Sequence, residues 1–590
     1  RGLIEMFDST IGASTVLMPF GGVTQNTETQ VSVQKLPVGN AVTNTASIMA
    51  FGYNPYITSW SPYHGAAYAV VEAASKVVAA GARYDRMRYS YQEYFERMHT
   101  ETSWGKPLAA LLGALRMQIE LGLPSIGGKD SMSGTFQNIN VPPMLMAFGI
   151  TTVDARTVIS PEFKASGHNI YIIRHTPRAN HMPDSEALKR NFDFVSTAIE
   201  RGDIIAAYAV GFGGVVEAVS KMSFGNRVGA DVQMEEHKLF DYAYGSIVVE
   251  AVGELDYPAA EKIGTTAAAA DVVFNGERFA VDELQKVNSR KFCSVYPDRG
   301  IEGGTTRASM PERREVKYEG KPVDEVKVYI PVFSGTNCDY DTAKAFERAG
   351  AHVATSVFCD LTADDIFASI ETMKRMIDGC HIFVLSGGFS AGDEPDGSGK
   401  FIANVLNNRK ITDAIHALLD RGGLILGICN GFQALVKSGL LPYGRLGCVG
   451  KESPTLFRND INRHVSQIVT TRVATVNSPW LSSFEVGELH SIAVSHGEGK
   501  FVVSDEMAEE LFRNGQVAFQ YVDPDGNATL RAPYNPNGSS FGIEGIISRD
   551  GHILGKMGHT ERYEDGLFKN IAGNKVQEIF ANAVNYFKGK

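Results

Sequence analysis

The stretch LILGICNGFQ, residues 424–433, constrains this 590-residue chain more than any other. An apolar run of strand length, Leu424–Ile428, leads into Gly427-Ile428-Cys429-Asn430-Gly431. Phe432, Leu435 and Val436 then share one face of a helix. G-x-C-x-G at a strand-to-helix turn is the cysteine counterpart of a nucleophile elbow. The glycines are needed because the turn is tight and neighbouring side chains would clash. A cysteine so placed sits near a helix N-terminus, whose partial positive charge favours the thiolate. By default a lone cysteine after a strand is a packing residue, since free cysteines are among the most buried side chains. The flanking glycines and the strand–turn–helix context make Cys429 the candidate nucleophile instead.

Around this turn, strands and helices alternate. The pattern predicts strands at Val326–Phe333, His381–Leu385 and Leu424–Ile428, and helices over 340–350 and 401–420. Such alternation points to an α/β layer with a mainly parallel sheet over 326–590. Upstream the patterns are mixed. Val31–Val38 reads as a strand and 65–80 as a helix. Residues 106–121 read as a second helix, with Leu108, Leu111, Leu112, Leu115 and Ile119 at helical spacing. After Asp154 come a strand at Asn169–Arg174, a helix over 184–201, and an apolar run at 204–210 followed by Gly211, Gly213 and Gly214. The polar stretch 294–325 is the best linker candidate. A chain this long is expected to hold about three or four domains. The boundaries expected are 1–155, 156–310, a linker at 311–325, and 326–590.

Composition removes several classes of function. The formal charge is −11 with no concentrated basic block, which disfavours a nucleic-acid partner. The longest apolar runs, such as Met144–Ile150, are too short to span a bilayer, so no membrane partner is expected. The six cysteines are scattered with no C-x-x-C pair, which fits neither a disulfide framework nor a thiolate zinc site. No signal peptide is visible, and a cytoplasmic location is expected. The chain opens Arg1-Gly2-Leu3 without an initiator Met, as expected of the C-terminal portion of a longer polypeptide.

A cysteine nucleophile needs a base and an orienting group. Two stretches spell His-x-Glu: His496-Gly497-Glu498 and His559-Thr560-Glu561. Residues i and i+2 point to one side of an extended segment, so either pair qualifies, and spacing does not choose. His559 follows the apolar Ile553–Met557 and so falls at a strand end, which weakly favours it. For the oxyanion, LSGGFS at 385–390 places two glycines after a strand, and the backbone N–H groups of Gly388 and Asn430 are the candidate donors.

GGFSAGD (387–393), GICNGFQ (427–433), SHGEG (495–499) and NPNGS (535–539) together resemble the class I glutamine amidotransferases. Within that class they resemble the glutaminase domain of the phosphoribosylformylglycinamidine synthase family. The resemblance implies a flavodoxin-like glutaminase fold, with Cys429 as nucleophile, His559 as base and Glu561 as its orienting carboxylate. One departure is Thr560, where relatives usually carry proline.

Residues 7–22 (FDSTIGASTVLMPFGG), 37–47 (PVGNAVTNTAS) and 127–133 (GGKDSMS) are similar to the second synthetase half of the large single-chain form of that family. That half has aminoimidazole-ribonucleotide-synthetase-like N- and C-terminal domains. The implied fold is therefore α/β and α+β multidomain. The implied reaction is ATP-dependent amidation of formylglycinamide ribonucleotide with ammonia from glutamine, in purine biosynthesis. ATP and Mg2+ are the implied cofactors, and the N-terminal synthetase half of the same polypeptide is the implied partner. Lys129 is followed by Asp130, so the glycine turn is no Walker A motif, yet Lys129 and Asp130 are candidates for phosphate and metal. Positions matching Asn40, Glu72, Lys76 and Phe212 carry magnesium-binding residues in many relatives. Here Glu72 alone is a carboxylate, so a degraded metal site is expected. The isolated chain is expected to lack the complete synthetase site. Two alternatives are a stand-alone cysteine glutaminase with a non-catalytic N-terminal scaffold, and a regulatory module with a vestigial nucleotide fold.

Overall fold

The computed structural model describes residues 1–39, 41–297, 302–392 and 397–589. Asn40 and Asp393 lie outside the described residues. The chain divides into two compact units. One holds Ser14–Lys291 with Gly566–Ala572; the other holds Arg1–Ala13, Phe292–Asp565 and Gly573–Lys590. The first 13 residues, expected with the N-terminal synthetase-like domain, therefore group with the C-terminal unit. A seven-residue segment near the C-terminus groups with the other. Sequence-local reasoning does not reach such exchanges, because each depends on contacts hundreds of positions away.

The Ser14–Lys291 unit contains two main sheets. The five-stranded one runs in the order Ser32–Lys35, Thr45–Gly52, Met144–Asp154, Arg88–Tyr94, Ser125–Lys129. Helix Pro62–Ala79 begins with Ser61 as N-cap and proline at its first position, a pre-organised start. Its alanines allow close packing, and a Cβ on Gly52 would fall 2.1 Å from Ala69 O. The predicted second helix is present as Glu101–Leu121, but its stripe of Leu108, Leu111, Leu112, Leu115 and Ile119 is exposed rather than core. The seven-stranded sheet is mainly antiparallel, with Asn169–Ile173 near its centre, and helix Gly214–Phe224 packs into its core.

The C-terminal unit is built on nine strands. Five run parallel: His352–Val357, Lys327–Val332, Ile382–Leu385, Leu424–Ile428 and Ile553–Lys556. Four antiparallel strands extend it: Ile543–Ile547, Val517–Tyr521, Val465–Val473 and Leu489–His496. Leu424–Ile428 and Ile553–Lys556 are hydrogen-bonded neighbours, so the turns that follow them open side by side. The polar stretch read as a linker lies along this unit: Ser309 N–H donates to Gln520 Oε1 (3.0 Å) and Arg314 N–H to Asn477 Oδ1 (2.6 Å). Among the described residues no helix is long and apolar enough to cross a membrane.

Candidate active site

Cys429 caps helix Asn430–Ser438 with φ 52° and ψ −104°, a left-handed conformation that costs energy in a residue with a side chain. Its N–H donates to Lys556 O at 2.8 Å and its thiol to Ser495 O at 3.6 Å. The flanking glycines are required: a Cβ on Gly431 would fall 1.9 Å from Leu385 O, and one on Gly427 2.7 Å from Gly431 O. The elbow is thus as the spelling implied, but its electrostatics are not. Burial pushes the Cys429 thiol up to about 12, outweighing the opposing pull of Arg562 and the Asn430 N–H. Burial thus opposes the thiolate that a helix N-terminus alone favours.

His559 Nδ1 lies 2.6 Å from Glu561 Oε1, and both side chains are buried. Burial and Arg562 hold the imidazole below its ordinary pKa, against Glu561, so it rests neutral and able to accept a proton. Its Nε2 has no hydrogen-bond partner among the described residues. A Cβ on Gly387 would lie 2.8 Å from His559 Cε1, 3.1 Å from Cys338 Sγ and 3.6 Å from Cys429 Cβ. Base, nucleophile and a second cysteine therefore border one point, which only glycine leaves open.

The other His-x-Glu stretch is arranged differently. His496 Nδ1 is 3.2 Å from Asn459 Oδ1 and its Nε2 3.5 Å from Asn537 Nδ2. Burial pushes its pKa down to about 3, and both ring nitrogens face asparagine side chains rather than a carboxylate. Glu498 accepts from Ser398 N–H at 2.8 Å and lies 3.9 Å from Arg458. Ser398, Arg458 and Glu498, with Phe389 and His464, line a cavity of about 350 Å³.

Gly388 pairs with Thr336 in an antiparallel bridge whose flanking bonds are Asn337 N–H to Gly387 O and Phe389 N–H to Gly335 O. In that pattern the Gly388 N–H points away from residue 336. The backbone N–H of Asn430 reaches the Cys429 sulfur. Asn430 Oδ1 also accepts from Ser390 N–H at 3.3 Å, tying the 387–390 loop to the nucleophile turn.

Behind the pair lies Arg562, which sequence reasoning passed over although it adjoins Glu561. Its Nη1 donates to Asp8 Oδ2 (2.6 Å) and Thr10 Oγ1 (2.9 Å), its Nη2 to Cys338 Sγ (3.0 Å), and its Nε is 3.9 Å from Glu561 Oε1. Asp8, 554 positions away, carried no local signal. Cys338, His559 and Glu561 converge closely enough for a metal ion. Burial pushes the Cys338 thiol far up, and it sits against a guanidinium, so the set is a poor cation site.

In the other unit, Glu72 has both oxygens engaged: Oε1 pairs with Lys76 Nζ at 2.8 Å and Oε2 accepts from Tyr53 N–H at 2.9 Å. Lys76 also donates to Phe51 O at 2.8 Å. Phe212 stacks on Tyr56 at 5.1 Å. Lys129 and Asp130 are exposed, and Lys129 Nζ bends back to Asp130 O at 2.6 Å.

A family model for the CobB/CobQ-like glutamine amidotransferase domain matches residues 325–587. The phosphoribosylformylglycinamidine synthase subunit PurQ of Gloeobacter violaceus is 33% identical over 253 residues, 43% of this chain and 96% of the relative. That of Chlorobaculum tepidum is 35% identical over 259 residues, 44% of this chain and 97% of the relative. Among solved structures, Thermotoga maritima PurL complexed with ADP is similar at 18% identity and a TM-score of 0.36, over 49% of this chain and 51% of that one. The chain belongs to the phosphoribosylformylglycinamidine synthase family, glutamine-hydrolysing ligases of purine biosynthesis, with a class I glutamine amidotransferase part.

Proposed function

We propose that residues 326–590 hydrolyse glutamine at Cys429, and that the ammonia serves residues 1–155 and 156–310 in the ATP-dependent amidation of formylglycinamide ribonucleotide. The observation that carries this is the buried His559–Glu561 pair, at 2.6 Å, beside a strained cysteine elbow. His559 Nε2 takes the thiol proton as Cys429 Sγ attacks the amide carbon, and Glu561 steadies the imidazolium that forms. The N–H groups of Gly388 and Asn430 receive the oxyanion. His559 then protonates the leaving nitrogen, ammonia departs, and water attacks the thioester to release glutamate. Arg458 and Glu498, on one cavity wall, suit the α-carboxylate and α-ammonium of glutamine.

In the synthetase half, ATP phosphorylates the glycinamide carbonyl oxygen of formylglycinamide ribonucleotide, leaving the formyl group untouched and making that oxygen a leaving group that ammonia displaces as phosphate. The end of the strand Ser125–Lys129, with Lys129 and Asp130, is the candidate phosphate-facing element, although Gly127 and Gly128 form strand rather than the turn expected. The residues around Glu72 do not fit a magnesium ion, because an ammonium already occupies the carboxylate. The N-terminal synthetase half of the same polypeptide is the natural partner, and six free cysteines suit the cytoplasm.

The test is glutamate release by the full chain, with and without Cys429→Ala, and amidine formation from glutamine, ATP and formylglycinamide ribonucleotide in the presence of the N-terminal synthetase half. Loss of both activities in the variant is expected. Undiminished hydrolysis without the thiol would refute the reading.

A further inference from the structure

The segment carrying His559 and Glu561 rests on a buried lysine for which the reaction has no chemical use. Lys556 ends the strand Ile553–Lys556 and is fully buried. Its ammonium donates to Thr560 Oγ1 and to Gln577 Oε1, each at 2.7 Å, and lies 5.0 Å from the Phe519 ring centre. The Thr560 hydroxyl donates on to Gln577 Oε1 at 2.6 Å, closing a ring of three polar groups. Thr560 stands between the base and its carboxylate, and its side chain turns away from both to meet Lys556. The Lys556 carbonyl also accepts the Cys429 N–H at 2.8 Å. One residue thus bonds to the nucleophile through its backbone and to the middle of the His-Thr-Glu segment through its side chain.

A carboxylate faces it from the next strand, although burial disfavours the charged form of each. Glu544 is also buried and accepts the Gly558 N–H, while its backbone carbonyl takes the Met557 N–H at 3.2 Å. A Cβ on Gly558 would lie 2.8 Å from Glu544 Oε1 and 3.4 Å from Lys556 Nζ, so both charges border that glycine. A buried ammonium is costly to desolvate, and an apolar side chain of the same length would pack there without that cost. What the ammonium adds is direction. A proline at position 560 would fix φ by its ring; threonine has no such constraint, and here its hydroxyl is pinned instead.

We propose that Lys556 is a positioning residue for glutamine hydrolysis: acting through Thr560, it fixes the backbone that aims His559 and Glu561 at Cys429. This rests on the glutaminase reading above.

Three variants of the full chain test it. Lys556→Met removes the ammonium and keeps the length; Thr560→Val removes the hydroxyl and keeps the shape; Thr560→Ser keeps the hydroxyl. The first two are expected to lower kcat for glutamine hydrolysis on the order of 10- to 100-fold, as misaimed groups do. KM for glutamine should stay within about twofold, because the cavity is untouched. Both should also slow alkylation of Cys429 by iodoacetamide across the pH range, followed by mass spectrometry of the cysteine peptide, a readout that needs no turnover. Thr560→Ser should restore most of the kcat. The double variant should be no slower than Lys556→Met alone, since both act through one contact. Unchanged kcat and alkylation in folded Lys556→Met, or losses that simply add in the double variant, would overturn the proposal. Should Lys556→Met fail to fold, Thr560→Val decides alone. Hydrolysis that survives Cys429→Ala sinks the glutaminase reading itself; hydrolysis lost in Cys429→Ala but intact in Lys556→Met and Thr560→Val sinks only the role of Lys556.

Discussion

Asp8 and Arg562 meet at 2.6 Å in the C-terminal unit, although 554 positions separate them in the chain. Burial would raise the Asp8 carboxyl, but Arg562 and the Thr10 N–H outweigh it and hold its pKa well below the carboxylate range. A depressed carboxylate stabilises the fold above its unfolded pKa, near 3.8, and loses that contribution as pH falls through the folded value. Asp8→Asn removes the nearest opposite charge from a buried guanidinium, which costs about 3 kcal/mol. The loss should be full at pH 7 and shrink below pH 3.8. Trp480 is buried in this unit while Trp60 and Trp104 are exposed, so the blue-shifted emission lost on urea unfolding reports it. Equal midpoints at pH 7 for the variant and the parent would show that the pair contributes nothing.

The Cys429 thiol, pushed up to about 12 by burial, should be a slow nucleophile towards external reagents. With a thiol pKa far above the assay range, the thiolate fraction grows about tenfold per pH unit. Iodoacetamide labelling of Cys429 should therefore climb from pH 6 to pH 9 without levelling off. A plateau near pH 7 would mean a thiolate–imidazolium pair already formed at rest.

His559 and His496 should separate cleanly on substitution. His559→Ala should reduce glutamine hydrolysis by roughly 10²- to 10⁴-fold, the usual loss of a general base. His496→Gln should lower stability, because its ring meets Asn459 and Asn537, while leaving the pH dependence of hydrolysis in place. The reverse pattern would reassign the base.

These contrasts show what sequence carries and what it does not. The elbow was legible because a strand, two glycines and a cysteine are contiguous, and turn geometry is local. The His559–Glu561 pairing was legible as a spelling, but so was His496–Glu498. What divides them is which ring asparagines 459 and 537 occupy, a matter of tertiary packing. Arg562, Asp8 and Cys338 escaped because their bonds cross the chain. The exposed leucine stripe of Glu101–Leu121 misleads in the opposite way: helical spacing shows that a face exists, not what covers it.

The Glu72–Lys76 pair yields the last prediction. At 2.8 Å from Lys76, with the second carboxylate oxygen on Tyr53 N–H, each Glu72 oxygen already holds a donor. Lys76 in turn is held by Phe51 O and lies 4.5 Å from the Phe51 ring centre. A cation approaching Glu72 would meet a like charge at contact distance, and like charges repel most where water is scarce. Isothermal titration of the chain with ADP should therefore give the same heat with and without magnesium. Lys76→Gln, which keeps the length and removes the charge, should leave Glu72 open to an ion and make any ADP binding magnesium-dependent. Tight, magnesium-dependent ADP binding by the unaltered chain would show that the lysine yields, and that the metal site is intact after all.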